Sequence, residues 1–441
     1  MRKIVSIILL SFSLTSFSQN LYFPPLTGTD WDTLSPARFG WCQERIDSLY
    51  DFLDQKNSKA FILLKDGKIV LEKYFDTFTK DSIWYWASAG KSLTSFTVGI
   101  AQQEDFLSIS DTSSKYLGKG WTSCTQAQED NITIRNQLTM TTGLDDGIAN
   151  PDCTFDSCLV YKADAGSRWA YHNAPYTLLD QVISNATGMS LNAFVTARIK
   201  NKTGMTGIYL KTGDNNVFYS TPRSMARYGL LILNKGKWDS TPVLTDTAYF
   251  RQMTNTSQNK NLSYGYLWWL NGKGSYMVPQ SQLVFPGYLN PQAPADMFSA
   301  IGKNGQFINV IPSRNMVFIR MGEAPGNSLV PFTLNNDIWE KINDFDLCVP
   351  PSDTTDTSAS VARQQSMISV FPNPVTNFVT ISLPETDTKT IVFLNPLGEI
   401  YLEKKNCIGI TTIDVSALPK GFCLIRIISD TGTCCSSILI Q

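Results

Sequence analysis

Ser88-Ala89-Gly90-Lys91 opens the apolar run Ser92-Leu93-Thr94-Ser95-Phe96-Thr97-Val98-Gly99-Ile100. A Ser and a Lys three residues apart at the head of a buried helix share one face and lie within side-chain reach. A serine hydroxyl is a poor nucleophile near neutral pH. An adjacent amine can accept its proton or support the group that does. The helix N-terminus adds backbone N–H groups for an oxyanion. The spelling alone is not specific, because Ser257-Gln258-Asn259-Lys260 repeats it in the polar stretch 255–261, where no helix orients it. Context therefore singles out Ser88 as the nucleophile and Lys91 as its partner.

The chain has 441 residues, above the usual single-domain size, and its hydrophobic content of 43% supports a substantial core. A formal net charge of -1 gives no support for nucleic acid or an acidic membrane as partner. Met1-Arg2-Lys3 precedes an apolar run over 4–17, and Ser16-Phe17-Ser18 offers small residues at a cleavable spacing. That pattern predicts a secretory signal peptide over 1–18. The run is short of the ~20 residues that span a bilayer, and no later segment is apolar for long enough, so no transmembrane segment is expected in the mature, exported protein. Export permits disulfides. Among nine cysteines, Cys153 and Cys158 are close enough to bridge a local loop, and Cys42 and Cys348 bracket a domain, though sequence does not fix connectivity. With one histidine, His172, and no zinc-ribbon spacing, neither a metal nor another cofactor is expected.

Residues 19–349 read as globular, 350–365 as a polar linker, and 366–441 as a run of β-branched strands bounded by turn residues, which predicts a small β-sandwich. In the globular part a helix is expected over 44–55. Strands are expected over 60–64 and 68–74, joined by Asp66-Gly67, a hairpin signal. A helical and loop-rich region follows to about 234. Strands return at 307–311 and 316–321, and a helix closes over 334–345. Strands from both ends with a helical insertion between them predict a mixed α/β (α+β) fold: an antiparallel sheet flanked by helices, plus a helical subdomain.

A Ser–Lys nucleophile needs a second proton-transfer group and an oxyanion hole. Tyr171-His172-Asn173 precedes an apolar helix expected over 176–183. A tyrosine phenolate is basic enough to take a serine proton once nearby ammonium groups lower its pKa. Asn173 is placed to hold the Lys91 amine and a substrate carbonyl. Tyr288-Leu289-Asn290 lies among turn residues and reads as structural. For the third element, Lys202-Thr203-Gly204 and Lys211-Thr212-Gly213 feed no strand of a central sheet. Lys303-Asn304-Gly305-Gln306 does, so the Gln306 N–H is expected to face that of Ser88. Lys91 and Lys303 crowding one site should drive one of them to titrate low. A Ser-His-Asp triad would need His172, which is expected beside Tyr171 in the pocket instead. Trp84, Trp86 and Trp169 wall that pocket or belong to the core.

These motifs in this order make residues 40–345 similar to the serine β-lactamase-like family, which includes class C β-lactamases, penicillin-binding proteins, esterases and 6-aminohexanoate-dimer hydrolases. The segment from Asp130 to Leu144, Ser224-Met225-Ala226-Arg227-Tyr228-Gly229 and Tyr264-Gly265-Tyr266 resemble further family habits. The resemblance implies a β-lactamase/transpeptidase-like fold, Ser88 as nucleophile, Lys91 and Tyr171 as the base system, and Gln306 as oxyanion donor. Asn173, Lys303 and Gly305 would line the substrate side. Asn304 stands where the family's third motif has Thr, which resembles the hydrolase and esterase branch and implies a small ester or amide as substrate; the alternatives are a β-lactamase or D-Ala-D-Ala carboxypeptidase acting on cell-wall-type substrates, or a non-catalytic penicillin-recognising surface protein. The tail, with Val370-Phe371-Pro372-Asn373-Pro374-Val375 and Asn395-Pro396-Leu397-Gly398, resembles the C-terminal sorting domain of type IX secretion substrates in Bacteroidetes. That resemblance implies the type IX machinery as a partner and the cell surface or medium as destination.

Overall fold

The computed structural model describes residues 21–326, 331–348, 369–371, 375–383, 388–395, 399–429 and 432–440. The expected leader over 1–18 and linker over 350–365 lie outside the described residues, as do 372–374 and 396–398 of the tail motifs. The chain divides into two compact units, the first ending at Pro350 and the second starting at Pro351.

The first unit is organised by one antiparallel sheet. Its strands are β1 (Ser58–Lys65), β2 (Lys68–Tyr74), β6 (Trp269–Leu270), β7 (Phe298–Gly302), β8 (Gln306–Ile311) and β9 (Met316–Gly322), in the order β2-β1-β9-β8-β7-β6. Asp66 and Gly67 both take left-handed φ, 52° and 81°, so the predicted hairpin forms through the two-residue turn whose twist matches its strands. A small side sheet joins β3 (Trp84–Tyr85), β5 (Asn215–Ser220) and β4 (Ile208–Thr212).

Helices cover both sheet faces. α5 (Pro222–Leu233) presents Gly229 so closely that an added Cβ would meet Val317 at 2.5 Å. Trp339 of the closing helix α6 (Phe332–Asn343) packs against Phe318, ring centroids 5.5 Å apart. Val317 and Phe318 are neighbours on one strand and point to opposite faces, which places α5 and α6 on opposite sides. α1 (Gln43–Gln55) packs against α6 and β1. The insertion carries α2 (Gly90–Gln103), buried from Gly90 through Ala101, as its apolar run requires. The expected single helix over 176–183 is instead two: α3 (Asn173–Thr177) and α4 (Leu179–Thr187). Cys42–Cys348 and Cys153–Cys158 are disulfides with Cα separations of 5.4 and 5.9 Å.

In the second unit, one three-stranded and one four-stranded antiparallel sheet share a single core that includes Val379, Ile381, Phe393, Ile413, Ile425 and Ile438. Burial alternates along Phe378–Ser382, the mark of a sheet with one face inward. This is the expected β-sandwich. The strands Ile400–Cys407, Ile410–Asp414 and Gly432–Ile440 are additional to those legible in the sequence.

Candidate active site

A cavity of about 870 Å³ opens between the end of the main sheet, the side sheet and the helical insertion, and its lining includes Ser88, Lys91, Tyr171, Asn173, Lys303 and Asn304. That volume falls in the range of small-molecule sites. Ser88 sits in a tight turn, Ala87–Ala89, just ahead of α2. Trp86 anchors this turn: its backbone N–H donates to Phe218 O at 2.8 Å and its indole to Ser220 Oγ at 2.8 Å. Ala87 then adopts φ 46°, a left-handed conformation uncommon outside glycine. Trp86 and Ala89 are buried while Ser88 between them is half-exposed and faces the cavity.

Lys91 is the reverse case, a charged residue type with only 4% exposure. Its Nζ donates to Ser88 Oγ at 2.8 Å and sits over the Tyr176 ring at 4.2 Å and the Tyr171 ring at 5.2 Å. Burial pulls its pKa from 10.5 down to about 7, against a smaller upward pull from the Asp152 carboxylate. A lysine does titrate low here, but desolvation is the cause; the expected crowding by Lys303 is not.

Tyr171 is half-buried, stacked on Trp269 at 5.8 Å, with Tyr264 set edge-on at 6.3 Å. The expectation of a lowered phenol pKa fails. Desolvation raises it well above the ordinary range, and the Ser88 hydroxyl only partly offsets that. The flaw in the expectation is physical: a site dry enough to neutralise the ammonium of Lys91 also penalises a phenolate. Tyr171 is therefore a protonated phenol beside a partly neutral amine. Asn173 begins α3 and donates to Asp152 Oδ1 at 2.7 Å, so its expected grip on the Lys91 amine is replaced by one on Asp152. The Cys153–Cys158 bridge closes the loop next to Asp152. His172 is buried, absent from the cavity lining, and held neutral by burial with a pKa near 4. Trp86 and Trp169 belong to the core, and Trp84 donates to Gly322 O at 3.3 Å; none of the three walls the cavity.

The turn Lys303–Gly305 joins β7 to β8. An added Cβ on Gly302 would lie 2.5 Å from Trp86 O and 3.0 Å from Ala89 N, so this end of β7 rests directly on the Ser88 turn. Lys303 is exposed on the cavity wall, and Asn304, at φ 64°, donates to the Tyr85 hydroxyl at 2.7 Å. Gly305 and Gln306 are buried and do not line the cavity. The Gln306 side chain is spent on main-chain partners, donating to Gly322 O at 2.6 Å and Lys303 O at 3.3 Å and accepting from Gly322 N at 3.1 Å, so it has no part to play in the cavity.

A family model described as Beta-lactamase matches residues 53–328, more than half of the chain. The chain belongs to the beta-lactamase family of serine hydrolases. A model described as Secretion system C-terminal sorting domain matches residues 369–441, which marks this serine hydrolase for export by the type IX route. Three solved structures share the fold. A protein of Bacillus anthracis assigned as a 6-aminohexanoate-dimer hydrolase aligns with TM-score 0.55 at 18% identity over 73% of this chain and 89% of its own. One of Bacteroides dorei assigned as a beta-lactamase gives 0.55 at 16% over 70% and 100%. A penicillin-binding protein homologue from Caulobacter crescentus gives 0.54 at 13% over 69% and 98%. No curated protein matches the sequence.

Sequence reasoning missed several wall residues of this hydrolase. Tyr176 cages the Lys91 amine, one helical turn beyond the Tyr-x-Asn motif. Asp152 and Tyr85 had no motif to flag them. Thr212, in the dismissed Lys211-Thr212-Gly213, lines the cavity from the side sheet, where the turn at Gly213 and Asp214 pairs it with Asn215. Among the described residues no helix is long and apolar enough to cross a membrane.

Proposed function

We propose that this exported hydrolase cleaves a small ester or amide through an acyl-enzyme on Ser88. The observation that carries the reading is the 2.8 Å hydrogen bond between a cavity-facing Ser88 and a buried Lys91 whose pKa is about 7. The neutral Lys91 amine takes the Ser88 proton as Oγ forms a bond to the substrate carbonyl carbon. The N–H groups of Ser88 and Gln306 receive the negative charge on the carbonyl oxygen. As the bond to the leaving group breaks, Tyr171 gives that group its phenolic proton and regains one from the Lys91 ammonium. Water then attacks the acyl carbon, with Lys91 again as base, and Ser88 is restored.

Asn304 in place of Thr, its side chain tied to Tyr85, supports the ester and amide branch over β-lactams. A panel of nitrophenyl esters, short amides and penicillins ranks the three classes. The test of the chemistry is intact-mass labelling by a fluorophosphonate. One adduct is expected on Ser88 and none on Ser88→Ala. An unlabelled wild type that turns over no member of the panel would leave a non-catalytic binding protein as the better description. For 4-nitrophenyl acetate, kcat/KM should rise about tenfold per pH unit below pH 7 and level off above it. The deprotonated Lys91 is the active form, and the raised Tyr171 keeps its proton beyond the ordinary phenol range.

A further inference from the structure

Arg320 lies in the middle of the sheet, on β9, opposite Phe61 and Phe307, and it is fully buried. Among the described residues no carboxylate pairs with it. Its acceptors are uncharged: Nε donates to Ser58 Oγ at 2.8 Å, Nη1 to Asn304 O at 2.9 Å and Gly305 O at 2.8 Å, and Nη2 to Lys56 O at 2.6 Å. Burying a guanidinium without a counter-ion is costly. Burial lowers its pKa to about 9, still above neutrality, so the charge remains at pH 7.

The surroundings are shaped to admit it. A Cβ on Gly305 would lie 2.6 Å from Arg320 Nη1, and one on Gly322 would lie 2.5 Å from Nη2. Gly305 also holds φ 76°, so glycine is required there twice over. Two glycines thus cradle one guanidinium under the turn that carries Lys303 and Asn304.

The two carbonyls that Nη1 grips belong to the peptides Asn304–Gly305 and Gly305–Gln306. A trans peptide is planar, with its C=O and N–H pointing in opposite directions. Holding Gly305 O on the Arg320 side therefore turns the Gln306 N–H away from Arg320. The positive charge on the carbonyl end also polarises that peptide and strengthens the N–H as a donor. Resting on the proposed role of the Gln306 N–H, we propose that Arg320 is a positioning residue for the oxyanion hole, aiming the Gln306 N–H through its grip on Gly305 O. Arg320 never meets the substrate in this account, and it acts on the rate of acylation rather than on ground-state binding.

The test uses the full-length protein and 4-nitrophenyl acetate, with Ser88→Ala as a control; full activity in that control overturns the parent reading and this proposal with it, whereas the arms that follow test this proposal alone. Arg320→Lys keeps the charge but loses the fork. It should lower kcat by about 10- to 100-fold, short of the loss of a whole oxyanion donor. KM should stay within about threefold, and the pH limb near 7 should not move. Ser58→Ala, which frees only Nε, covers the case in which Arg320→Lys does not fold, and should lower kcat about threefold with KM unchanged. Wild-type kcat in a folded Arg320→Lys, a loss that falls on KM instead, or wild-type kcat in Ser58→Ala where the lysine variant is unfolded, overturns the proposal.

Discussion

Two segments of this chain spell Ser-x-x-Lys, and they differ in what is buried. At 88–91 the lysine is inside and the serine faces a cavity, with the amine donating to the hydroxyl at 2.8 Å. At 257–260 the serine is inside, its hydroxyl donating to Tyr264 O at 3.0 Å and Gly265 O at 3.1 Å, and Lys260 is exposed. A buried lysine loses its charge and becomes a base. An exposed one keeps company with water. On the proposed reading, the motif becomes chemistry only when a helix carries the lysine into the core and a strained turn carries the serine out of it.

The largest separation between the two segments should appear in activity. Ser88→Ala is expected to lower kcat on 4-nitrophenyl acetate by at least about 10⁴-fold, whereas Ser257→Ala should leave kcat within about twofold. Ser257→Ala should instead cost about 1–2 kcal/mol in urea denaturation, since it removes the donor to two carbonyls. Equal losses of activity in both variants would erase the distinction. Lys91→Met should approach the Ser88→Ala loss, and Lys260→Met should be silent. Tyr171→Phe should cost about 10²-fold in kcat, with the pH limb near 7 unmoved because that limb belongs to Lys91. A limb that vanishes with the phenol would return the base role to Tyr171.

The most diagnostic effect is on stability. Lys91 has a folded pKa of about 7, against an ordinary 10.5. Between those values the unfolded chain binds more protons than the folded one, so stability should rise with pH across that window, with the penalty complete below pH 7. Lys91→Met removes the penalty. It should be more stable than wild type at pH 6 by roughly 2–5 kcal/mol, and the gain should fade toward pH 10. Denaturant midpoints at several pH values read this directly.

Much of the sheet was legible because its signals are local. Asp66-Gly67 needs left-handed φ at both positions, and the continuous apolar runs beside it are what strands buried on both faces require. Ser88, Lys91 and Tyr171 were legible through spacing and helix context. The rest of the site depends on contacts between distant segments. Tyr85, Asp152 and Arg320 reach the site region through the side sheet, the stretch beside a disulfide-closed loop and the central strand β9, respectively, and no short window records those meetings. The charge state of Tyr171 was misread for a related reason. Proximity to an amine is visible in sequence, but the dryness of the space around both groups is a property of the packed fold.

The central claim, that burial makes Lys91 an uncharged base for Ser88, is tested most directly by titrating the Lys91 side chain itself. NMR of protein with labelled lysine side chains, with the Lys91 signal assigned by its loss in Lys91→Arg, should show a midpoint near pH 7. A midpoint near the ordinary 10.5 would contradict the account.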